Sequence, residues 1–280
     1  MNLGNRANPF AGDLSPQLRL PGNRTFPKRF ALHYLAAMTP LLNFSLCLAA
    51  AAFVVSCAAP QGGSSSGRDV YGHRPGPKNF QTVIIDAGHG GKDSGAVSRS
   101  TGQKEKDLAL DTAKRIAAAL RGDFKVILMR SDDTFIDLDE RVVRANRHGG
   151  AILISMHYNS GPSYLRGPET YYWRVDSHGL ATRLQNAMAQ ASSGEYSSRG
   201  LVRRRIRLTR NPEIPCVLLE GGYLSNPAES ALIAQPAYRQ KLATKIASAI
   251  RTQAAQGDAG TGPLPRPINA PPSRSTDAAE

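Results

Sequence analysis

Between Thr82 and Ile250 the sequence alternates short apolar runs with longer stretches of helical period, and this alternation constrains the fold more than any other feature. Thr82–Asp86 (TVIID), Lys125–Arg130 (KVILMR), Ala151–Met156 (AILISM) and Cys216–Glu220 (CVLLE) are mostly apolar at successive positions, as strands buried on both faces of a sheet must be. Between them apolar residues recur three or four apart: Ala109, Ala113, Ile116, Leu120; Leu138, Val142, Ala145; Leu180, Leu184, Met188, Ala191; and Tyr238, Leu242, Ile246, Ala249. Each set is one face of a helix. Glu169–Trp173 and Arg205–Leu208 are expected as further strands. Strands alternating with helices predict an α/β fold, a single layered domain with a central, mostly parallel sheet flanked by helices. A hydrophobic content of 41% over 280 residues supplies a core and excludes wholesale disorder. Three cysteines (Cys47, Cys57, Cys216) exclude a disulfide scaffold and a multi-cysteine zinc module. Any metal here takes histidine and carboxylate ligands.

The termini read differently. Residues 1–29 carry Arg19, Arg24, Lys28 and Arg29 against the single acid Asp13, and no charged residue follows until Arg68. The apolar run Leu41–Ala59 ends in Val54-Val55-Ser56-Cys57, which resembles a bacterial lipobox, where a cysteine becomes lipidated after cleavage. A plain signal anchor is the other reading, since the run approaches the roughly 20 residues that span a bilayer. Both readings export the rest of the chain, with the lipid-anchored form facing the periplasm expected. Residues 58–80, rich in Gly, Ser and Pro, are expected as a flexible linker, 81–252 as the catalytic domain, and 253–280 as a Pro/Gly-rich disordered tail. The net charge of +13, from 35 Lys+Arg against 22 Asp+Glu, predicts an anionic partner. Export argues against nucleic acid. Arg203, Arg205 and Arg207 alternate on one face of an expected strand. They are either a solvated face or, with Arg199 and Arg210, a holder of carboxylates on an acidic polymer.

Polar residues collect at three strand ends. Asp86-Ala87-Gly88-His89-Gly90-Gly91 follows the first strand, His157-Tyr158-Asn159-Ser160 the third, and Glu220-Gly221-Gly222 closes the last. Open α/β sheets bind ligands at the carboxyl ends of their strands. Two histidines and a carboxylate converging there, beside glycines that permit close approach, would build a hydrolytic metal site. Glu105, in the first turn of the following helix, is a further ligand candidate, although the helix dipole alone would favour an acid there.

Read together, DAGHGGKDSGA (Asp86–Ala96), EKDLAL (Glu105–Leu110), DERVVRANR (Asp139–Arg147), ISMHYNS (Ile154–Ser160), RGPETYYW (Arg166–Trp173) and PCVLLEGGYLSNPAE (Pro215–Glu229) resemble the zinc-dependent N-acetylmuramoyl-L-alanine amidases of bacterial cell-wall turnover, the family typed by AmiA, AmiB and AmiC. The stretches occur in the family's order over nearly the whole domain. The resemblance implies that His89, Glu105 and His157 bind one Zn²⁺ and that Glu220 is catalytic. Three protein ligands leave a position open for water, as in catalytic zinc sites. Glu220 then serves as base toward that water and as acid toward the leaving amine of L-alanine. The substrate so implied is the amide between the muramic acid lactyl group and L-alanine in peptidoglycan. Asp86 and Asn159 are expected to partner the histidines or position substrate, and Glu169 is a weaker site candidate. His148, His178 and Cys216 are expected to be structural.

Some family members carry a long helical plug after the strand equivalent to Glu169–Trp173. The next helix here starts near His178, which leaves no room for one and predicts an open site. An activating protein is then possible but not required. Two other readings share these residues: a non-catalytic peptidoglycan-binding or activator protein, and a zinc peptidase acting on stem peptides.

Overall fold

The computed structural model describes residues 75–192, 198–266 and 268. The expected signal segment 1–57 with Cys57, and most of the expected linker, lie outside the described residues. Six strands form one sheet. In chain order the elements are β1 (Thr82–Ala87), α1 (Glu105–Leu120), β2 (Lys125–Leu128), α2 (Leu138–Asn146), β3 (Ile152–Asn159), β4 (Glu169–Tyr172), α3 (His178–Ala191), β5 (Gly200–Arg203), α4 (Arg207–Arg210), β6 (Cys216–Tyr223), α5 (Pro227–Ile233) and α6 (Pro236–Gln256). The sheet order is β2-β1-β3-β6-β4-β5. The first four of these strands run parallel, whereas β4 is antiparallel to β6 and carries β5 parallel to itself. The fold is therefore α/β with a mostly parallel sheet between helical layers, as the alternation predicts.

The pleat sends alternate side chains to opposite faces, and the two faces differ. Val83, Ile85 and Ala87 of β1, Ile152, Ile154, Met156 and Tyr158 of β3, and Val217 and Leu219 of β6 pack with the apolar stripes of α1, α3 and α6 in one large core. On the other face Ile84, Leu153 and Cys216 join Ala145 of α2 and Leu208 of α4 in a smaller cluster. Further along that second face, toward the carboxyl ends, apolar residues give way to Asp86, Ser155, His157 and Glu220, all buried.

Apart from shifts of a few residues at strand ends, three features differ from the sequence reading. Arg205–Leu208 is not a strand: β5 spans the four residues that pair with β4 and ends at Arg203, and among the described residues no strand lies beside the chain beyond it. The backbone turns instead into the short helix α4, with the Thr209 hydroxyl bonded to the carbonyls of Arg204 and Ile206. Ile206 and Leu208 are buried, and Arg203, Arg205 and Arg207 share no strand face. The expected domain limit at 252 falls inside α6, which runs to Gln256 because Gln253 is buried and donates to the Pro77 carbonyl at 3.0 Å while accepting from Arg183 Nε at 3.0 Å. Past the helix, Asp258 Oδ2 accepts from the Gly76 amide at 2.6 Å, tying the two ends of the domain together. Helix α5 is not among the sequence expectations. Its start is nonetheless marked by Asn226-Pro227: the Asn226 side chain caps the Glu229 amide at 3.0 Å, and proline occupies the first turn. No helix among the described residues is long and apolar enough to cross a membrane.

Candidate active site

β3 and β6 place two of the site residues directly beside each other. His157 and Glu220 are register partners on neighbouring parallel strands, so their side chains leave the same face of the sheet. Glu105 opens α1. Its Oε1 lies 2.9 Å from His89 Nε2 and 3.0 Å from His157 Nδ1 and accepts the Tyr158 amide at 3.1 Å, while its Oε2 accepts the Ala96 amide at 2.9 Å. The ligand atoms of His89, Glu105 and His157 lie within 4.8 Å of one another. The two imidazoles meet edge to face, with centroids 4.9 Å apart.

Two glycines make this convergence possible. A Cβ at Gly88 would fall 2.2 Å from the His157 ring, and one at Gly95, whose φ is +59°, would fall 2.6 Å from both the Glu105 carboxylate and the His89 ring. His89 itself has φ 59°, a left-handed conformation that costs energy for a side-chain-bearing residue. The cost is offset by an unusual grip on the loop. Arg130 donates from Nε to the Ala87 carbonyl (2.9 Å) and from Nη2 to those of Gly88 (2.7 Å) and Lys106 (2.8 Å). Arg141 donates to the carbonyls of Ala87 (2.9 Å) and His89 (2.7 Å). Lys106 Nζ holds the Gly91 carbonyl at 2.9 Å and Asp133 at 2.6 Å. Both arginines are buried.

His89 and Glu105 shift each other's ionisation. Burial opposes protonation of His89, yet the Glu105 and Asp93 carboxylates outweigh it and raise the imidazole to about 9. Burial likewise opposes ionisation of Glu105, but hydrogen bonds and charge from His157 and His89 hold it well below the usual carboxylate range. Asp93 Oδ2 takes the other His89 nitrogen, Nδ1, at 2.8 Å. A buried carboxylate between two imidazoles is the donor set of a divalent transition metal. His157 Nε2 is buried with no hydrogen-bond partner, a costly state that a metal bond would remove. The residues present therefore fit a metal ion. Beside them a cleft of about 240 Å³ is lined by His89, Asp93, Phe135, Leu138, Arg141 and His157, among others.

The other side of Glu220 is also occupied. Glu169 is its register partner across the antiparallel β4–β6 pair, so Glu220 stands between His157 and Glu169. Because β4 runs against the sheet, its first residue rather than its last reaches the site. Glu169 Oε1 accepts from Arg199 Nε, and Oε2 accepts from the Tyr171 hydroxyl at 2.8 Å and from Asn159 Nδ2 at 3.3 Å. Burial first, then the hydrogen bond and charge of Glu169 and the charge of Glu220, push the Tyr171 phenol up to about 12. The end of β6 beyond Glu220 is fixed by the buried Glu229, which accepts from the amides of Tyr223 (2.8 Å) and Gly167 (3.0 Å).

His89, Glu105, His157 and Glu220 thus come together, with Asn159 and Glu169 bonded to each other alongside. Asp86 does not touch either imidazole. It pairs with Arg141 and accepts from the Ser155 hydroxyl at 2.8 Å, because its place in the strand points it under the loop; its effect on His89 passes through Arg141. Cys216 is buried, with Sγ 3.1 Å from the Thr209 carbonyl, and His178 packs its ring on Tyr172 at 5.3 Å. The His148 amide bonds the Ala145 carbonyl at 3.1 Å just past the end of α2. Sequence reasoning misses Asp93, Arg130, Arg141 and Tyr171. Asp93, four residues after His89, is the one with a visible signal.

Two histidines and a glutamate gathered at the carboxyl ends of parallel strands, beside a second buried glutamate, define the class: a candidate metal-dependent hydrolase centre on an open α/β sheet. The profile of the N-acetylmuramoyl-L-alanine amidase family matches residues 83–252, and the chain belongs to that family of enzymes. It is similar to the catalytic domain of CwlV, an N-acetylmuramoyl-L-alanine amidase from Bacillus (Paenibacillus) polymyxa var. colistinus, at 38% identity and TM-score 0.59 over 62% of this chain and 97% of that one. CwlD amidase from Clostridioides difficile, solved in complex with the GerS lipoprotein, aligns at 28% identity and TM-score 0.58 over 61% and 97%. The probable cell wall amidase LytH of Staphylococcus aureus is 31% identical over 62% of this chain, which spans 59% of LytH.

Proposed function

We propose that the protein is a zinc-dependent hydrolase of peptidoglycan that cleaves the amide between the lactyl group of muramic acid and L-alanine, in cell-wall remodelling or daughter-cell separation. The observation that carries this reading is the convergence of His89, Glu105 and His157 with Glu220 in register beside His157. His89, Glu105 and His157 hold the ion. When bound, zinc supplies Lewis acidity, lowering the pKa of water and polarising a carbonyl oxygen. Glu220 accepts the proton of the attacking water and delivers it to the nitrogen of L-alanine as the C–N bond breaks, so one residue acts as base and then acid. Asp93 holds His89 through Nδ1 and fixes which ring nitrogen faces Glu105. Arg130 and Arg141 hold the loop that carries His89.

β4 passes to α3 through residues 173–177 alone, which supports a site that needs no displacement of a plug; on this reading an activating protein is not required. Export and lipid attachment at Cys57 would keep the enzyme on the outer side of the membrane beside its anionic polymer. The test is to incubate the full chain with purified peptidoglycan, with and without a chelator, and identify products by mass spectrometry. Chelator-sensitive release of peptides with a free N-terminal L-alanine is expected. Cleavage within the stem peptides would instead make it a peptidase, and intact polymer despite bound metal would make it a binding protein.

A further inference from the structure

The structure separates Arg199 from the other arginines around it. Arg203 donates from Nε to the Trp173 carbonyl at 3.0 Å and lies over the Trp173 ring. Arg207 pairs with Asp139, and Arg210 is buried with its guanidinium 5.1 Å from the centre of the same ring. Arg199 is held at the site instead. Its amide bonds the Pro168 carbonyl at 3.0 Å, the next residue, Gly200, is in register with Glu169, and Glu169 is in register with Glu220. Its Nε is bonded to Glu169, its guanidinium lies 5.4 Å from the centre of the Tyr223 ring, and 35% of its side chain stays exposed while that of Glu169 is 5% exposed.

This is a braced cation. A guanidinium has five N–H donors; Nε is spent on Glu169, and the Tyr223 ring packs against the group. Glu169 is itself held in place, because Oε2 serves Tyr171 and Asn159. The guanidinium is thus oriented in advance on a side chain that solvent still reaches, and a planar fork so held favours a planar anion over a point-like one. Resting on the peptidoglycan reading above, we propose that Arg199, braced by Glu169 and Tyr223, is the subsite that receives a free carboxylate of the acidic stem peptide leaving from Glu220. The subsite sets which peptides are cut and takes no part in bond breaking.

The experiment is calorimetric titration of the metal-loaded full chain, with turnover stopped by Glu220→Gln, using muramoyl-L-alanyl peptides that end in a free carboxylate and the same peptides with that carboxylate amidated. The free acid is expected to bind about 10-fold tighter, the size of one charge-assisted contact. Arg199→Ala in the same background brings the two peptides to parity, and Arg199→Lys retains part of the preference. The comparison of peptides within the chain that keeps Arg199 stands even where a variant is poorly folded. Equal affinity for the two peptides, no measurable binding of either, or a preference that survives Arg199→Ala overturns the subsite. A chain that prefers the acid yet hydrolyses neither peptide when Glu220 is restored overturns the amidase reading and leaves the subsite standing.

Discussion

The two faces of the sheet use the same strands for opposite ends. Under α1, α3 and α6 the inward residues of β1, β3 and β6 are apolar along almost their whole length. Under α2 and α4 the same strands begin apolar at Ile84, Leu153 and Cys216 and become polar at Asp86, Ser155, His157 and Glu220. One strand can supply both because its side chains alternate. The larger core supplies the rigidity that lets the smaller face bear buried charge and a left-handed His89. Stability and chemistry are thereby divided by parity along the strand, and substitutions one residue apart should have effects of different kind.

The sharpest contrast is expected between two neighbours on β6: Leu219 faces the large core, whereas Glu220 faces the site. Glu220→Gln is expected to lower turnover of peptidoglycan by about 10²–10⁴-fold while metal content and melting temperature stay at their wild-type values; a variant that kept wild-type rates would remove Glu220 from the mechanism. Next in size are two stability effects. Arg141→Met leaves Asp86 buried without its cation, an expected loss of about 3–5 kcal/mol, and frees the His89 carbonyl, so metal affinity should fall with it. Leu219→Ala opens a cavity in the large core, an expected loss of about 2–5 kcal/mol, with metal affinity unchanged at temperatures where the variant is folded. Denaturant melts read beside metal titrations separate the two; equal weakening of metal binding by both would mean that the faces are not independent.

The smallest effect concerns the rim of the large core. Burial raises the Asp111 carboxyl, but hydrogen bonds from Arg115 and Arg239 outweigh it and hold the group below its ordinary 3.8. Its folded value is depressed, so its contribution is present above the unfolded value and is lost as pH falls through the folded one. Asp111→Asn should therefore lower stability modestly at neutral pH, where the contribution is fully present, and converge on wild type as pH falls through the folded value, flattening the acid end of the stability curve. An acid limb identical to wild type would show that the Arg239–Asp111 contact between α6 and α1 contributes nothing.

What is legible in the sequence follows the same division. Runs such as AILISM, apolar on both parities, announce a buried parallel strand, and the helical stripes announce their own buried faces. The site is legible where a residue type is improbable for its place: two histidines and a glutamate at strand ends, next to glycines. That Asp86 meets Arg141 and not an imidazole is hidden because sequence does not say which way a strand-end side chain points. Arg130 and Arg141 stay hidden because a buried arginine gripping carbonyls looks, in sequence, like any surface arginine. The Arg205–Leu208 segment misleads for a different reason: its alternation is genuine, but a strand needs a partner, and β4 is only four residues long.

The most direct test of the account is the metal itself. Purified full-length protein, loaded with zinc and dialysed, should hold one ion per chain by elemental analysis, and X-ray absorption at the zinc edge should show two imidazole nitrogens and a carboxylate oxygen among its ligands. His157→Ala should abolish that binding. Full hydrolytic activity in rigorously metal-free protein, or a bound ion with no imidazole in its shell, would contradict the centre described here.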